Sequence, residues 1–407
     1  MGDSGNGTPA VGSIRRNEDK RSRFDKRPRR PDAILHAYVY SSLCVSFLGL
    51  AVYVKEGILI PSWTIKSQTG GESMSGLQVA WFIVLGALLA GYVILDGYDL
   101  GIGLWYLFTR KEDDRRALLR VIAPHWDANE VWLITAGAAV FAAFPMVYAT
   151  VFSGLYLALM LVLFALIFRA VSIEFAPHNV SPRWNTFWSR AFGIGSALPA
   201  LLFGVAMGNV LRGLPMDSSG NFAGNFFTLL NPYSLVTGLA GLALFAMHGG
   251  LFAQLTLKDD QARRAREWTH SSWDRYLLLY MSLFAWTAAA QPQITANYQL
   301  MPALWLLPAL TLAGIILTGI YNDRNNPKTA FILSSISIAT LFATIAAALF
   351  PNLVPAINPD GKSLTISNAS SSPLTLSIML GVTIAGMALV LVYTVWVRRS
   401  FKGGGDY

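Results

Sequence analysis

The chain has 407 residues, of which 54% are hydrophobic and only 13% are charged, and its mean hydropathy is +0.45. Soluble domains carry about a quarter charged residues, so this composition excludes an ordinary water-soluble protein. The formal charge of +8 does not indicate nucleic-acid binding, because the basic residues lie in short runs between apolar segments, where they set membrane orientation.

The chain begins with a polar, basic segment, residues 1–33, which predicts a disordered cytoplasmic tail. The apolar run 34–54 follows and could be a signal peptide. Its length and the lack of a small-x-small cleavage site favour an uncleaved extra N-terminal transmembrane helix, with an external linker up to residue 75. The single cysteine, Cys44, lies within this run, so no disulfide or thiolate metal site can form, and we interpret it as a packing thiol.

Further apolar runs recur along the rest of the chain and bring the prediction to about ten membrane crossings. They span residues 76–108, 120–147, 152–174, 190–212, 231–256, 275–291, 301–321, 329–350 and 375–397. The runs lack the alternation of a barrel strand, and backbone groups in lipid must be paired within their own segment, so we predict an all-α membrane bundle. Lys and Arg concentrate in alternate linkers, which places both termini in the cytoplasm.

Two acids lie within the first long run. Asp96 and Asp99 are three residues apart and therefore share one face of a helix. Gly97, Gly101 and Gly103 would let another helix approach closely. The pattern is equally compatible with a packing seam whose acids face the interface and with a proton relay or subunit contact.

The segment 123–132, APHWDANEVW, concentrates polar groups at a membrane entrance, with Pro124 expected in the first turn of a helix. His125 and Asp127 could bind a metal or carry protons. Acids at membrane depth are typical of proton paths, so we favour proton handling by Asp127 or Glu130.

Arg169 lies near the end of the run 152–174. Its guanidinium could extend to the interface, or it could neutralise a buried carboxylate such as Asp127 or Asp99. The sequence leaves these two alternatives open.

Histidines suited to haem are scarce. His36, His178 and His270 lie at or beyond segment ends, His125 lies at an entrance, and His248 is the one well inside an apolar run. Axial haem ligands face the interior of a bundle, so the sequence offers at most one five-coordinate site, and we expect no metal or cofactor to be bound by this chain.

Several motifs resemble subunit II of cytochrome bd ubiquinol oxidase. They are DGYDLG at 96–101, IAPHWD at 122–127, NEVWLITAG at 129–137, FPMVY at 144–148, FSG at 152–154, FR at 168–169, GVAMGN at 204–209, GNFF at 224–227 and LNP at 230–232. The resemblance is dense over 87–232 and extends over about 76–398, leaving residues 399–407 as a cytoplasmic tail. It implies about nine core transmembrane helices in two four-helix bundles plus a peripheral helix, to which this chain adds the N-terminal one.

The resemblance also implies a function. In that family quinol reduces oxygen to water in a bacterial inner-membrane complex, with protons taken from the cytoplasm. The haem-bearing subunit I is the partner expected to hold haems b558, b595 and d and the quinol site. A structural quinone, a small accessory subunit and membrane lipid are further expected components, and nucleic acid is not.

Roles for single residues follow from the same resemblance. Asp127 matches an acid of the proton path, for which Glu130, Asp99 and Asp96 are further candidates. Trp126, His125 and Arg169 are candidates for the subunit contact or for charge pairing, and Trp132 matches a position near an oxygen channel. The alternatives are a proton-coupled transporter using the same acids, or a scaffolding subunit without a proton role.

Overall fold

The computed structural model describes residues 74–175 and 181–400. The predicted tail 1–33, the predicted helix 34–54 with Cys44 and His36, nearly all of the linker to residue 75, His178 and residues 401–407 lie outside the described residues. The described part is a bundle of α-helices joined by short linkers, with one two-stranded hairpin.

Twelve α-helices are present in the described residues. They are α1 Gly76–Phe108, α2 Glu112–Ile122, α3 Trp126–Ala143, α4 Pro145–Gly154, α5 Tyr156–Phe175, α6 Pro182–Arg212, α7 Pro232–Thr256, α8 Asp259–Ala290, α9 Pro292–Leu300, α10 Leu306–Asp323, α11 Pro327–Leu349 and α12 Pro373–Ser400. Single 3₁₀ turns at Phe226–Leu229 and Pro302–Trp305 precede α7 and α10, and strands β1 Asn352–Val354 and β2 Leu364–Thr365 pair antiparallel.

Six of these helical segments are long and apolar enough to cross a membrane, which confirms a multi-pass membrane protein. They are α1, α5, α6, α7, the 3₁₀ turn with α10, and α11. α3, α8 and α12 lie where the sequence predicted further crossings, but the count of nine core helices stays a prediction.

The helix boundaries correct three expectations. The predicted crossing 120–147 is broken twice: Pro124 lies in the turn between α2 and α3 instead of in a first helical turn, and α3 ends before Phe144, because the residue preceding Pro145 is disfavoured in the helical conformation. Residues 259–274, which lie between the predicted runs 231–256 and 275–291, are helical and form the start of α8. Asp259 and Asp260 suit the positive end of a helix, and Arg263 pairs with Asp260 and Glu267 at 2.6 and 2.7 Å.

α1 is the central helix of the bundle. It packs against α3, α6, α7 and α11, while α10 packs beside α11 and α5 beside α6. One apolar core surrounds its C-terminal half with α2, α7, α8, α10 and α11, and a second surrounds its N-terminal half with α3 and the linker that holds the hairpin. Residues in the middle of α1 are therefore the most deeply enclosed.

The linkers gather at two opposite ends of the bundle. At the basic end, defined by residues 109–125, 257–266 and 323–327, Arg264 contacts Asp114 at 2.9 Å. At the other end the backbone N–H of Leu214 donates to Pro355, and that of Ser371 donates to Ala143, both at 2.9 Å. This separation is the one that the alternation of basic and neutral linkers predicted.

Candidate functional site

The centre of α1 carries two carboxylates out of contact with solvent. Asp96 and Asp99 are both fully buried, and the three-residue spacing places them on one face, as the sequence predicted. Close packing of another helix at the neighbouring glycines is also confirmed. A Cβ at Gly97 would meet the Phe245 ring of α7 at 2.9 Å, and one at Gly101 would overlap with the Phe245 backbone oxygen.

Arg169 of α5 is the cation that faces these acids. Its side chain is fully buried, and its Nη2 donates to Asp96 Oδ1 at 2.8 Å while Nη1 lies 3.4 Å from Asp96 Oδ2. Nη2 is also 3.9 Å from Asp99 Oδ2. Of the two alternatives left open by the sequence, neutralisation of buried carboxylates is the one found, with Asp96 as the principal partner.

A third carboxylate enters the cluster from α3. Glu130 accepts a 2.7 Å hydrogen bond from Arg169 Nη1, and its side chain keeps 24% of its accessible surface. The neighbouring Asn129 is fully buried and donates from Nδ2 to Asp99 Oδ2 and to the Tyr98 hydroxyl, both at 2.7 Å. We call Asp96, Asp99, Glu130 and Arg169 the charge cluster; it joins α1, α3 and α5.

The charge cluster has more acids than bases. Three carboxylates face one guanidinium, so full ionisation would leave an uncompensated double negative charge in an apolar bundle, which is strongly unfavourable. Among the described residues Asp99 Oδ1 and Arg169 Nε have no hydrogen-bond partner. The arrangement is therefore suited to holding a proton, and Glu130 connects it to the accessible surface of α3.

Asp127 lies outside this cluster. It is exposed in the first turn of α3, one turn before Glu130 and on the same side of the helix. His125 and Trp126 are half-buried beside it, and the His125 ring lies edge-on to Phe252 with centroids 6.3 Å apart. Asp127 is thus at the accessible end of a row of acids whose other end is buried.

Trp132, the predicted oxygen-channel residue, lies further along α3. Its ring covers Gly91 of α1 so closely that a Cβ there would overlap with it. It also lines an apolar cavity of about 490 Å³ between α1 and α11, together with Phe82, Gly86 and Phe342.

His248 is held inside the bundle by hydrogen bonds and ring stacking. It is fully buried on α7, where Nε2 donates to the Ile94 carbonyl and Nδ1 accepts from the Ser334 hydroxyl, both at 2.9 Å. Its ring stacks on Phe331 with centroids 4.6 Å apart. Because both nitrogens are engaged in hydrogen bonds, His248 does not fit a haem ligand. Within residues 74–175 and 181–400, no three His, Cys, Asp or Glu side chains are grouped as a metal site requires.

Sequence reasoning missed the connecting role of Asn129 and Tyr98. Asn129 stood within the quoted motif, but an amide gives no sign of which carboxylate it will bind. Its one available signal was a strongly polar side chain next to Glu130 in an otherwise apolar helix, which is unfavourable unless it is hydrogen-bonded.

Comparison with known proteins shows the family. The family model of cytochrome bd terminal oxidase subunit II matches residues 77–401. The chain belongs to that family. It is 34% identical over 358 residues to cytochrome bd-I ubiquinol oxidase subunit 2 of Escherichia coli, a match covering 80% of this chain and 94% of that protein.

More distant relatives agree. The chain is 29% identical over 330 residues to cytochrome bd ubiquinol oxidase subunit 2 of Bacillus subtilis, covering 81% of this chain and 97% of the relative. A chain of the bd oxidase structure from Geobacillus thermodenitrificans shares the fold, with a TM-score of 0.66 at 17% identity, covering 81% of this chain and all of that one. The main prediction from the sequence, subunit II of a bd-type quinol oxidase, is confirmed, and a transporter is not supported.

Proposed function

We propose that this subunit delivers protons from the basic end of the bundle, which we assign to the cytoplasm together with both termini, to the haem-bearing subunit I. Two quinols release four electrons and four protons, and oxygen takes up four of each to form two waters. Haems b558, b595 and d of subunit I supply the electron transfer and oxygen chemistry. This chain's own residues have the narrower task of holding and moving protons.

The observation that carries the proposal is the excess of carboxylates around one arginine. Asp96 and Asp99 are buried with Arg169, and Glu130 joins them while remaining partly accessible. A cluster that cannot be fully ionised exchanges a proton at lower cost than an isolated buried acid does, because Arg169 stabilises each charged form in turn. Glu130 is the member of the cluster nearest to Asp127 along α3, one turn away on the same side of the helix.

The exposed face of α3 supports a contact with subunit I as the destination of the protons. Five of its exposed residues recur every three or four positions and form a mostly apolar stripe, comprising Asp127, Val131, Ile134, Ala138 and Phe141, which we call the α3 stripe. A seam of this spacing is typical of helix–helix contact. We infer that subunit I covers it, with His125 and Trp126 at its edge, so that Asp127 is enclosed at the contact.

The apolar cavity beside Trp132 supports a role in oxygen access. Oxygen is apolar and partitions into the membrane interior, and this cavity lies between two helices with few polar groups around it. A structural quinone and a small accessory subunit stay predictions.

Replacing the accessible acid tests the proposal. In the purified complex, we expect Asp127→Asn to lower quinol oxidase turnover by about a hundredfold, the lower end of the range for loss of a positioned proton carrier, while the haem spectrum stays unchanged. Asp113→Asn is the matched control, because Asp113 is an exposed acid at the same end and forms no ion pair among the described residues.

Normal turnover in Asp127→Asn would contradict the proton path and favour the alternative of a scaffolding subunit. An equal loss of turnover in Asp113→Asn would show a general effect of surface charge and would not support a proton path through Asp127.

A further inference from the structure

A second apolar cavity opens on the surface of the bundle between α5 and α6. It has a volume of about 690 Å³ and is separate from the charge cluster and from the cavity beside Trp132. Its wall is apolar along most of its length, with Leu161, Phe164 and Phe168 from α5 and Ala191, Ile194 and Leu198 from α6. We call it the α5–α6 groove.

Two arginines line the half of the groove nearest the start of α6. Arg183 and Arg190 both line it and are both exposed. They are seven residues apart, which is close to two turns, so both project from the same face of α6 about 10 Å apart along its axis. The groove is thus apolar along its α5 wall and around Ile194 and Leu198, and it carries two cations in the half where α6 begins.

The position of these arginines is unfavourable in the absence of an anion. The N-terminus of a helix carries partial positive charge and favours acids, whereas α6 has no acid in its first turn and places Arg183 there. Within the described residues neither Arg183 nor Arg190 forms an ion pair, although eight other basic-to-acidic contacts involve arginines of this chain. What distinguishes Arg183 and Arg190 is that both of these unpaired charges line one apolar cavity.

We propose that the groove binds an anionic phospholipid. Its acyl chains lie along Phe164, Phe168 and Ile194, and its phosphate lies between Arg183 and Arg190. A phosphate offers several strong acceptors to guanidinium groups and also neutralises the helix end. The α5–α6 groove, with apolar side chains along one part and two cations along the other, complements an amphiphile with one charged head.

Retention of defined lipids by the intact oxidase complex tests this site. The complex is delipidated in mild detergent, incubated with equal amounts of phosphatidylglycerol and phosphatidylcholine of identical acyl chains, and examined by native mass spectrometry. Each basic residue near a membrane surface strengthens binding of an anionic lipid about fivefold, so we expect a preference for phosphatidylglycerol of up to about thirtyfold.

The arginines are tested by paired substitutions with equal change of charge. Arg183→Gln with Arg190→Gln should abolish the preference. Arg120→Gln with Arg275→Gln should preserve it, because those arginines are exposed, form no ion pair among the described residues and lie outside the groove. Equal retention of the two lipids by the unaltered complex, or equal losses in both double variants, would overturn the proposal.

The apolar part of the groove is tested by filling it. Ala191→Phe keeps both arginines and reduces the space for acyl chains, so retention of phosphatidylglycerol should fall while the haem spectrum and thermal unfolding midpoint stay unchanged. Unchanged retention would show that the chains do not lie there. Crosslinking of a polypeptide to a photoreactive group at position 191 would show that a protein segment occupies the groove, and would also overturn the proposal.

Discussion

At the scale of single residues, Arg169 holds the charge cluster together. One fully buried guanidinium contacts acids from two other helices, at 2.8 Å to Asp96 and at 2.7 Å to Glu130. Asp96 receives the bidentate contact, and Asp99 instead relies on Asn129 for its closest hydrogen bond. Removing the guanidinium would leave every acid of the cluster without its cation.

We expect Arg169→Met to destabilise the subunit by about 3–5 kcal/mol, the usual cost of removing one partner from a buried ion pair. The measurement is the thermal unfolding midpoint of the purified complex in detergent. The unfolding midpoint of Arg169→Lys should lie between those of Arg169→Met and the unaltered chain, since lysine keeps the charge and loses the planar guanidinium that binds two oxygens at once. Arg275→Met is the control at an exposed site. An unchanged midpoint in Arg169→Met would contradict the central role given to this residue.

At the scale of secondary-structure elements, the close crossing of α1 and α7 fixes where the acids lie. A Cβ at Gly249 would come within 2.6 Å of the Gly101 carbonyl carbon, so the two helices touch through their backbones at this point. Such contacts through small residues are a principal source of helix association in membranes. The crossing lies two residues from Asp99, and a shift there would move the carboxylate relative to Arg169.

Gly101→Ala therefore has a defined consequence. The added methyl overlaps with the Phe245 backbone, which cannot rotate away, and we expect a loss of about 1–3 kcal/mol as in other overpacked cores. Gly86→Ala in the same helix is the matched control, because a Cβ there meets nothing within 4 Å and alanine is the better helix former. Equal unfolding midpoints for the two variants would contradict the close crossing.

At the scale of the whole molecule, the α3 stripe is a surface that residues 74–175 and 181–400 leave uncovered. Ile134 is 70% exposed at its centre, and Phe141 is 60% exposed further along. Apolar exposure alone also describes a lipid-facing helix. The distinguishing feature is Asp127 on the same stripe, since an acid facing lipid is costly, whereas an acid at a subunit contact can pair with a group of the partner.

We expect Ile134→Arg to reduce recovery of the haem-bearing subunit with this chain by more than about tenfold, because a charge would be buried unpaired at the contact. The measurement is the ratio of haem absorbance to tagged subunit after affinity purification. Leu278→Arg controls for the cost of placing arginine in a membrane helix, since Leu278 is 68% exposed on α8. Equal recovery of the haem-bearing subunit in Ile134→Arg and Leu278→Arg would contradict a contact at the α3 stripe.

The sequence by itself determined the membrane class, the family, the mainly helical fold and the sharing of one face by Asp96 and Asp99; it gave no sign of the hairpin β1–β2. These features depend on local physics: backbone groups in lipid must be paired within their own helix, and residues three apart lie together on any helix. The close approach at Gly101 could likewise be predicted, because glycine in an apolar helix serves few other purposes.

Only the tertiary structure decided which charges meet. Arg169 is 73 residues from Asp96 and 39 from Glu130, and nothing local selects these partners over Asp127, which the structure leaves exposed. The engagement of both His248 nitrogens likewise depends on α1 and α11, far away along the chain. Partner choice is a property of helix packing, in which small differences in rotation and depth place one acid inside the bundle and another, one turn away, on its surface.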